Sequence, residues 1–500
     1  VAGMSDARRW ASLGVLVAAV LLLAIDSTVL YLAVPSLTQD LGASATEVLW
    51  IGDIYSLALA GLLVTMGNVA DRIGRRRLLL IGASAFGGAS ALAAFAVSPE
   101  MLIVARLLLG VAGATIMPST LSLIRNIFTD QVERTRAIAL WSAAAASGIA
   151  LGPLVGGALL QNFWWGSVFL INIPITLALV VAGLALLPES RNPNPARFDL
   201  LSSFLSMVAI VPFVYVIKKA VGGDVDLVVG AALLLSVVGA VLFVRRQRST
   251  ASPMIDVDLF RVPEFSGAVL VNFITIFALS GLLFFFAQYL QLGRGMSPLQ
   301  AGVAQLPVAV AAMIVVVLVG RALRLLGRGR AISVALVVAA AGLLLLALAE
   351  TADGFGWIAL ALVPIGLGIG LAETLSVDAV VSAVKPTKAG AAASISETAY
   401  ELGVALGIAV LGSIVTALYR SSLDLSQVAL PELVRAQVED SLAGAVAALE
   451  PGSPALGLAQ SAFVSGMQVT TVIAAGILAL AAVVAWRLIP ATRTTTPVEH

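Results

Sequence analysis

Six acidic residues lie inside stretches of sequence that are otherwise almost wholly apolar: Asp26, Asp53, Glu373, Asp378, Glu397 and Glu401. Holding an ionised side chain in hydrocarbon is costly, so such residues face a cavity, find a partner or take up a proton. Reversible proton uptake by a sheltered carboxyl group is the chemistry that a proton-coupled carrier needs. Away from the ends of such stretches the only basic residue is Arg106, which leaves the interior acidic and suited to a cationic cargo. Glu397 and Glu401 are four residues apart on one helix face, about 12 and 18 Å from the nearer helix end. Two acids on one face in a dry setting repel, so at least one should hold a proton. Asp26 lies about 22 Å along its stretch, Asp53 about 7 Å and Arg106 about 9 Å from the opposite ends of theirs. All three reach similar depth, and Asp26 and Arg106 are placed to pair. The alternatives are structural: an ion pair for Asp26, an interfacial position for Asp53, backbone hydrogen bonding for Arg106 and plain solvation for Asp378.

The elements that must carry these residues follow from composition. The chain has 500 residues, 60% hydrophobic and 11% charged, where soluble domains run about 45–50% apolar and about 25% charged. No water-soluble core hides that much apolar surface, so lipid is the solvent. There is no cysteine, and the single histidine is His500. Disulfides, thiolate metal sites, cysteine nucleophiles and histidine bases are thereby removed; no metal, cofactor or nucleic-acid partner is expected.

A helix needs about 20 mostly apolar residues to cross about 30 Å of hydrocarbon. Fourteen stretches qualify, near 11–37, 48–68, 77–97, 100–126, 136–161, 164–188, 199–217, 225–245, 264–291, 299–320, 330–349, 356–380, 389–419 and 467–489. The expected fold is therefore an all-α integral membrane protein. The first stretch is too long for a cleaved leader, carries Asp26 and is followed by further spans. With the N-terminus placed in the cytoplasm, the Lys and Arg residues gather on that side. Of the 29, only Lys218, Lys219, Arg294, Arg420 and Arg435 fall outside, and Arg106 lies within a span. That is the positive-inside bias, and it puts both termini in the cytoplasm. The one long loop, 420–466, then lies outside, where Pro431 and Pro454 are each expected to open a short helix of a cap.

One repeat is visible. Gly67, Gly74 and Arg75 recur at the same offsets as Gly320, Gly327 and Arg328. This matches spans 2–3 with spans 10–11 and divides the chain into an N-terminal six-helix bundle, 1–190, and a C-terminal one, 251–490. An inserted helix pair, 191–250, stands between them, and 491–500 is a cytoplasmic tail. Parallel halves around a midplane cavity suit alternating access.

Four motifs in order carry a family resemblance. The loop Gly67-Asn-Val-Ala-Asp71-Arg72-Ile-Gly74-Arg75-Arg76-Arg77 resembles the signature loop of the major facilitator superfamily. Ile25-Asp26-Ser27-Thr28-Val29 with Ala33-Val34-Pro35 resembles the first-helix motif of its fourteen-span drug:proton antiporters, and Arg106-Leu-Leu-Leu-Gly110 their fourth-helix motif. Gly148-Ile-Ala-Leu-Gly152-Pro153-Leu-Val-Gly156-Gly157 resembles the fifth-helix motif that marks exporters. The resemblance implies a major facilitator fold of 14 transmembrane helices, arranged as six, two inserted and six. It implies a monomeric, multi-pass protein of the bacterial cytoplasmic (inner) membrane, and not an enzyme. The implied activity is export of lipophilic cationic drugs and dyes in exchange for protons by alternating access. Asp26, Asp53, Arg106, Glu373, Glu397 and Glu401 become the proton and substrate candidates. In the gating loop, which also holds Arg72, Gly67 and Gly74 permit a tight turn, and Asp71 and Arg75 become a charge link that latches the outward-facing state.

Tyr55, Phe277, Phe284 and Tyr289 are candidates to stack on planar cations; with Phe273 and Gln288 the last three also read as ordinary packing. One departure matters: family members can carry an acid in the tenth span, which here reads Pro307-Val-Ala-Val-Ala-Ala-Met313, while span 12 carries Glu373 and Asp378. The alternative function is a proton-coupled symporter for a nutrient or metabolite, against which the fifth-helix motif argues. A scaffold without flux has no use for so many intramembrane acids.

Overall fold

The computed structural model describes residues 4–190, 199–221, 225–384 and 389–490. Among them the regular structure is helical throughout. The first group is α1 (Asp6–Leu41), α2 (Ala45–Ile73), α3 (Arg75–Ala94), α4 (Pro99–Ile127), α5 (Gln131–Asn162), α6 (Ser167–Leu170) and α7 (Asn172–Leu186). Two helices follow, α8 (Leu200–Val221) and α9 (Leu227–Ser249). The last group is α10 (Pro263–Gln288), α11 (Pro298–Ala304), α12 (Leu306–Leu326), α13 (Arg328–Ala349), α14 (Gly356–Ser382), α15 (Ala389–Ser422), α16 (Glu432–Asp440), α17 (Leu442–Ala448) and α18 (Pro454–Leu488). Thirteen stretches among the described residues are long and apolar enough to cross a membrane. The 32-residue α5 stands between the fourth and fifth of them.

The sequence sets the ends of these helices. Ser44 caps α2 in a capping box with Glu47, and Ser98 and Ser453 cap α4 and α18 just ahead of Pro99 and Pro454. Each supplies an acceptor to a backbone N–H that the first turn leaves unpaired. The repeat extends to the backbone. Gly74 (φ 116°) ends α2 and Gly327 (φ 77°) ends α12, and Arg75 and Arg328 begin the next helix. A side chain would strain either junction.

In the first group α1 packs on α5, α2 on α4, and α3 on α4 and α7; in the last, α10 packs on α15, and α13 on α14 and α18. Between the groups α2 lies along α15, α5 meets α11 and α1 touches α10. The pair α8–α9 is held mainly by its own contact. α9 turns Leu227, Leu234, Val237 and Val241 outward, whereas α8 reaches both α2 and α15.

Segment 420–466 departs from expectation at its end. Pro431 caps α16, and α17 follows after Ser441, but Pro454 opens the last long helix itself. That helix therefore begins well before residue 467, because the Ser453 cap and the first-turn proline start a helix that the apolar stretch then continues. The short helices are pinned over the start of α2. Asp440 accepts from the Ala45 N–H at 2.8 Å and holds Arg420 at 2.8 Å, and the Tyr419 hydroxyl donates to the Val438 carbonyl at 2.5 Å. The side of the molecule they cover is called the cap face below.

Candidate functional site

Asp26 stands midway along α1, fully buried. Arg106 of α4 lies 3.5 Å from its Oδ2, and Asn172 of α7 donates to its Oδ1 at 2.8 Å and to Ser90 Oγ at 3.1 Å. Arg106, also buried, donates from Nε to the Ile51 carbonyl at 3.1 Å and lies over the Tyr55 ring, 4.6 Å from its centroid. The expected pairing is present, and so is the backbone bond that was its alternative. α5 closes on this turn of α1 because its glycines leave room. A Cβ at Gly148 would come 2.5 Å from Ala24, one at Gly156 2.9 Å from Val29, and one at Gly152 would strike Thr28. Gly157 faces the other way, where a Cβ would sit 2.7 Å from the Pro298 carbonyl oxygen. Pro153 lies within the helix, and its carbonyl faces Gly302 of α11.

Asp53 is fully buried on α2 and has a partner the sequence reading placed elsewhere. Lys218, expected in an outer loop, lies within α8 with its side chain 1% exposed, its Nζ 2.8 Å from Asp53 Oδ2. The same Nζ stands 3.4 Å from the centroid of the Trp50 ring. The helix runs to Val221, past the point where its apolar run stops, and an amphipathic lysine stem spans the difference.

The acids of the last group are different. Glu373 on α14 and Glu397 on α15 are only partly buried, and Glu401 is buried to 9% exposure. Among the described residues no basic side chain forms an ion pair with any of the three. Glu397 lies within electrostatic reach of both Glu373 and Glu401, and Glu401 reaches the Ser56 hydroxyl of α2. Asp378, expected to be merely solvated, is held by Arg328 at 2.8 Å; the same arginine holds Glu264 at 3.3 Å.

Three tyrosines lie within reach of these charged groups. Tyr55 is within electrostatic reach of Asp26, Glu401 and Arg106; Tyr31 of Arg106 and Glu401; Tyr400 of Glu373, Glu397 and Glu401. Of these, sequence reasoning singled out Tyr55 alone. Tyr31, Tyr400, Ser56, Asn172 and Lys218 were missed, because single polar residues in apolar helices carry no motif.

The other aromatic candidates separate. Phe284 meets the Tyr31 ring edge-on at 5.5 Å, across the seam between the groups. Tyr289 turns away from the interior: its hydroxyl donates to the Glu350 carbonyl at 2.6 Å and its ring stacks on Phe286. Phe277 packs near Phe273, which lines a lateral cavity of about 370 Å³ with Ile395 and Leu402. At the signature loop, Gly74 lies against Glu189, Arg75 donates to Ser190 Oγ at 3.0 Å and Arg72 is exposed. Gly67 faces Pro118 at 3.7 Å. The Asp71 side chain lies outside the described residues, and so does the tail 491–500.

Comparison with known proteins agrees with this architecture. The multidrug efflux pump LfrA of Mycolicibacterium smegmatis is 48% identical over 482 residues, covering 95% of this chain and 96% of that protein. The methyl viologen resistance protein SmvA of Salmonella typhimurium is 36% identical over 484 residues, covering 96% and 98%. A solved structure of a bacterial homologue of the lysosomal transporter Spinster, inward-facing and unoccupied, superposes with a TM-score of 0.67 at 17% identity, covering 96% and 98%. The pattern of the Major Facilitator Superfamily matches residues 16–408. With helices packed in two groups about an interior of buried acids, the chain belongs to the Major Facilitator Superfamily and is a membrane transporter, not an enzyme.

Proposed function

We propose that the protein exports lipophilic cationic drugs and dyes across the bacterial cytoplasmic membrane, in exchange for protons, as a monomer working by alternating access. In this reading the chain crosses the membrane fourteen times, α5 included, with both termini in the cytoplasm and the cap face outside. Residues 1–190 and 251–490 are the two halves that rock about the interior, and 191–250 is the inserted pair. The names of the relatives, a multidrug efflux pump and a methyl viologen resistance protein, support a drug substrate.

One observation carries the proton-coupled, cation-selective part: Glu373, Glu397 and Glu401 share the interior with no basic partner among the described residues. Unpaired carboxyl groups in a sheltered site are held by a proton or by a cation. Competition between the two for the same oxygens is antiport. Asp26 with Arg106 forms the fixed-partner half of the site, and Tyr31, Tyr55 and Tyr400 offer faces to a planar cation. The half-buried Phe277 remains a candidate for the substrate path, while the packed Phe284 and Tyr289 hold helices. The loop from Gly67 to Arg75 serves as the cytoplasmic latch.

Efflux of ethidium from cells making the protein, with and without a protonophore, tests the reading. Expressing cells should hold less dye than controls, and the protonophore should remove the difference. Equal retention in both, with folded protein present in the membrane, would defeat it. A symporter would instead accumulate its substrate inside vesicles when the proton gradient points inward.

A further inference from the structure

The six residues Trp50 to Tyr55 of α2 form a junction. Trp50 and Asp53 hold Lys218; the Ile51 carbonyl receives Arg106; Tyr55 lies under the Arg106 guanidinium. Gly52 meets the Phe284 ring and Ile408 of the last group, where a Cβ would come 2.7 and 3.3 Å away. Below it, α8 seats on the same helix: Met207 presses on Gly61, and Ser203 bonds the Thr65 hydroxyl. Val214 of α8 shares a small apolar core with Ile54 and Leu57 of α2 and with Ala405 and Ala409 of α15. The inserted pair is thus built into the seam between the halves.

The charges within this junction are few. Among the described residues, Lys218 is the only side chain that pairs with the Asp53 carboxylate, and the Lys218 amine has no acceptor but that carboxylate. Arg106 lies within electrostatic reach of Asp53 as well as Asp26. A carboxylate left without a partner within that reach attracts the guanidinium.

We propose that Lys218 of the inserted helix pair is a positioning residue for the interior: it binds the Asp53 carboxylate so that Arg106 stays with Asp26. The inserted pair then supplies a charge without which the Asp26 site is miswired, rather than serving only as a lipid-facing appendage. This rests on the transport reading above only for its activity readout.

The test is a set of full-length variants assayed for dye efflux at matched membrane levels. Lys218→Met should lower the initial efflux rate about tenfold or more, since it leaves a buried carboxylate unpaired. Lys218→Arg should keep roughly half of the parental rate, because the charge is retained. The double variant Asp53→Asn with Lys218→Met removes both charges and should recover to within about threefold of the parent, a rescue that loss of packing does not give. Parental efflux by Lys218→Met would overturn the proposal. So would a folded double variant no more active than Lys218→Met. Where the single variant fails to reach the membrane, the double variant carries the test alone: folded and inactive, it refutes the assignment. A parent that expels no dye would count against the transport reading instead. The pairing is then read from thermal unfolding in detergent, where the two substitutions must couple; strict additivity would refute it.

Discussion

Arg106 Nη1 stands 3.5 Å from Asp26 Oδ2 with both side chains buried, and neither atom has a hydrogen-bond partner among the described residues. The ion pair is close but loose, seated on firm bonds from Arg106 Nε to Ile51 and from Asn172 to Asp26 Oδ1. Such a pair can open without dismantling its supports. Asp26→Asn leaves a buried guanidinium with no carboxylate of its own, which costs about 3–5 kcal/mol when a buried pair is broken. It should abolish efflux of every cation. Asn172→Ala, which removes a support and no charge, should slow efflux and spare the choice of substrate; initial rates with several dyes measure both.

Gly157 offers a steric test of closure at the cap face. A Cβ there would lie 2.7 Å from the Pro298 oxygen and 2.9 Å from the Leu299 Cα, both backbone atoms with little freedom to yield. Gly157→Val should wedge α5 from α11 and stop transport without removing the protein from the membrane. The chain has no cysteine, so Gln291→Cys gives a single reporter, its side chain now donating to the Leu32 carbonyl at 2.9 Å. A membrane-impermeant maleimide should label this cysteine faster in the Gly157→Val background. Unchanged labelling would show that the seam closes despite the valine.

Much of this was legible in the chain, for physical reasons. Acids in apolar stretches are costly enough to single themselves out, and helix rise put Asp26 and Arg106 at similar depth, where the structure pairs them at 3.5 Å. The glycines of α5 announced a close approach, and the structure names its partners, Ala24, Thr28, Val29 and Pro298. Lys218 was misplaced because two adjacent lysines at the end of an apolar run read as the start of a loop, while the backbone continues to Val221. Pro454 was misread because proline starts long and short helices alike. Tyr31 and Tyr400 could not be ranked, since which face of an apolar helix meets the interior depends on its neighbours.

Glu350 gives a prediction on stability. It follows the last residue of α13, at the cap face, with Oε1 accepting from Thr471 at 3.1 Å and Oε2 without a hydrogen-bond partner among the described residues. Burial pushes its carboxyl from an ordinary 4.5 up to about 8, against the opposing pull of the Thr471 bond and Arg294. Above pH 4.5 the unfolded chain gives up this proton while the folded protein keeps it. The unfolded state then binds fewer protons, so stability falls as pH rises and levels off above about 8. Glu350→Gln should remove that decline, unfolding a few degrees higher than the parent at pH 8 and close to it at pH 5. A parent whose unfolding temperature does not fall across this interval would contradict the assignment.

The last prediction concerns which carboxyl groups exchange protons for cargo. Asp26 and Asp53 each have a cationic partner, at 3.5 and 2.8 Å, so a change in their ionisation requires a partner to let go. Glu397 and Glu401, one helical turn apart, interact with each other; Glu397 also reaches Glu373, both reach Tyr400, and among the described residues none of these acids has a basic partner. Groups coupled this way titrate together, so the protons belong to the set and not to one residue. A lipophilic cation entering the site supplies the missing positive charge and expels a proton in doing so. Adding such a dye to the detergent-solubilised protein in weak buffer should therefore acidify the medium. Glu397→Gln with Glu401→Gln should release fewer protons per bound dye, bind cations more weakly and flatten the dependence of turnover on pH. Either single substitution should weaken some substrates more than others, since the remaining acid keeps one of the two positions. A double variant that releases as many protons as the parent would remove this pair from the coupling and return the exchange to Asp26.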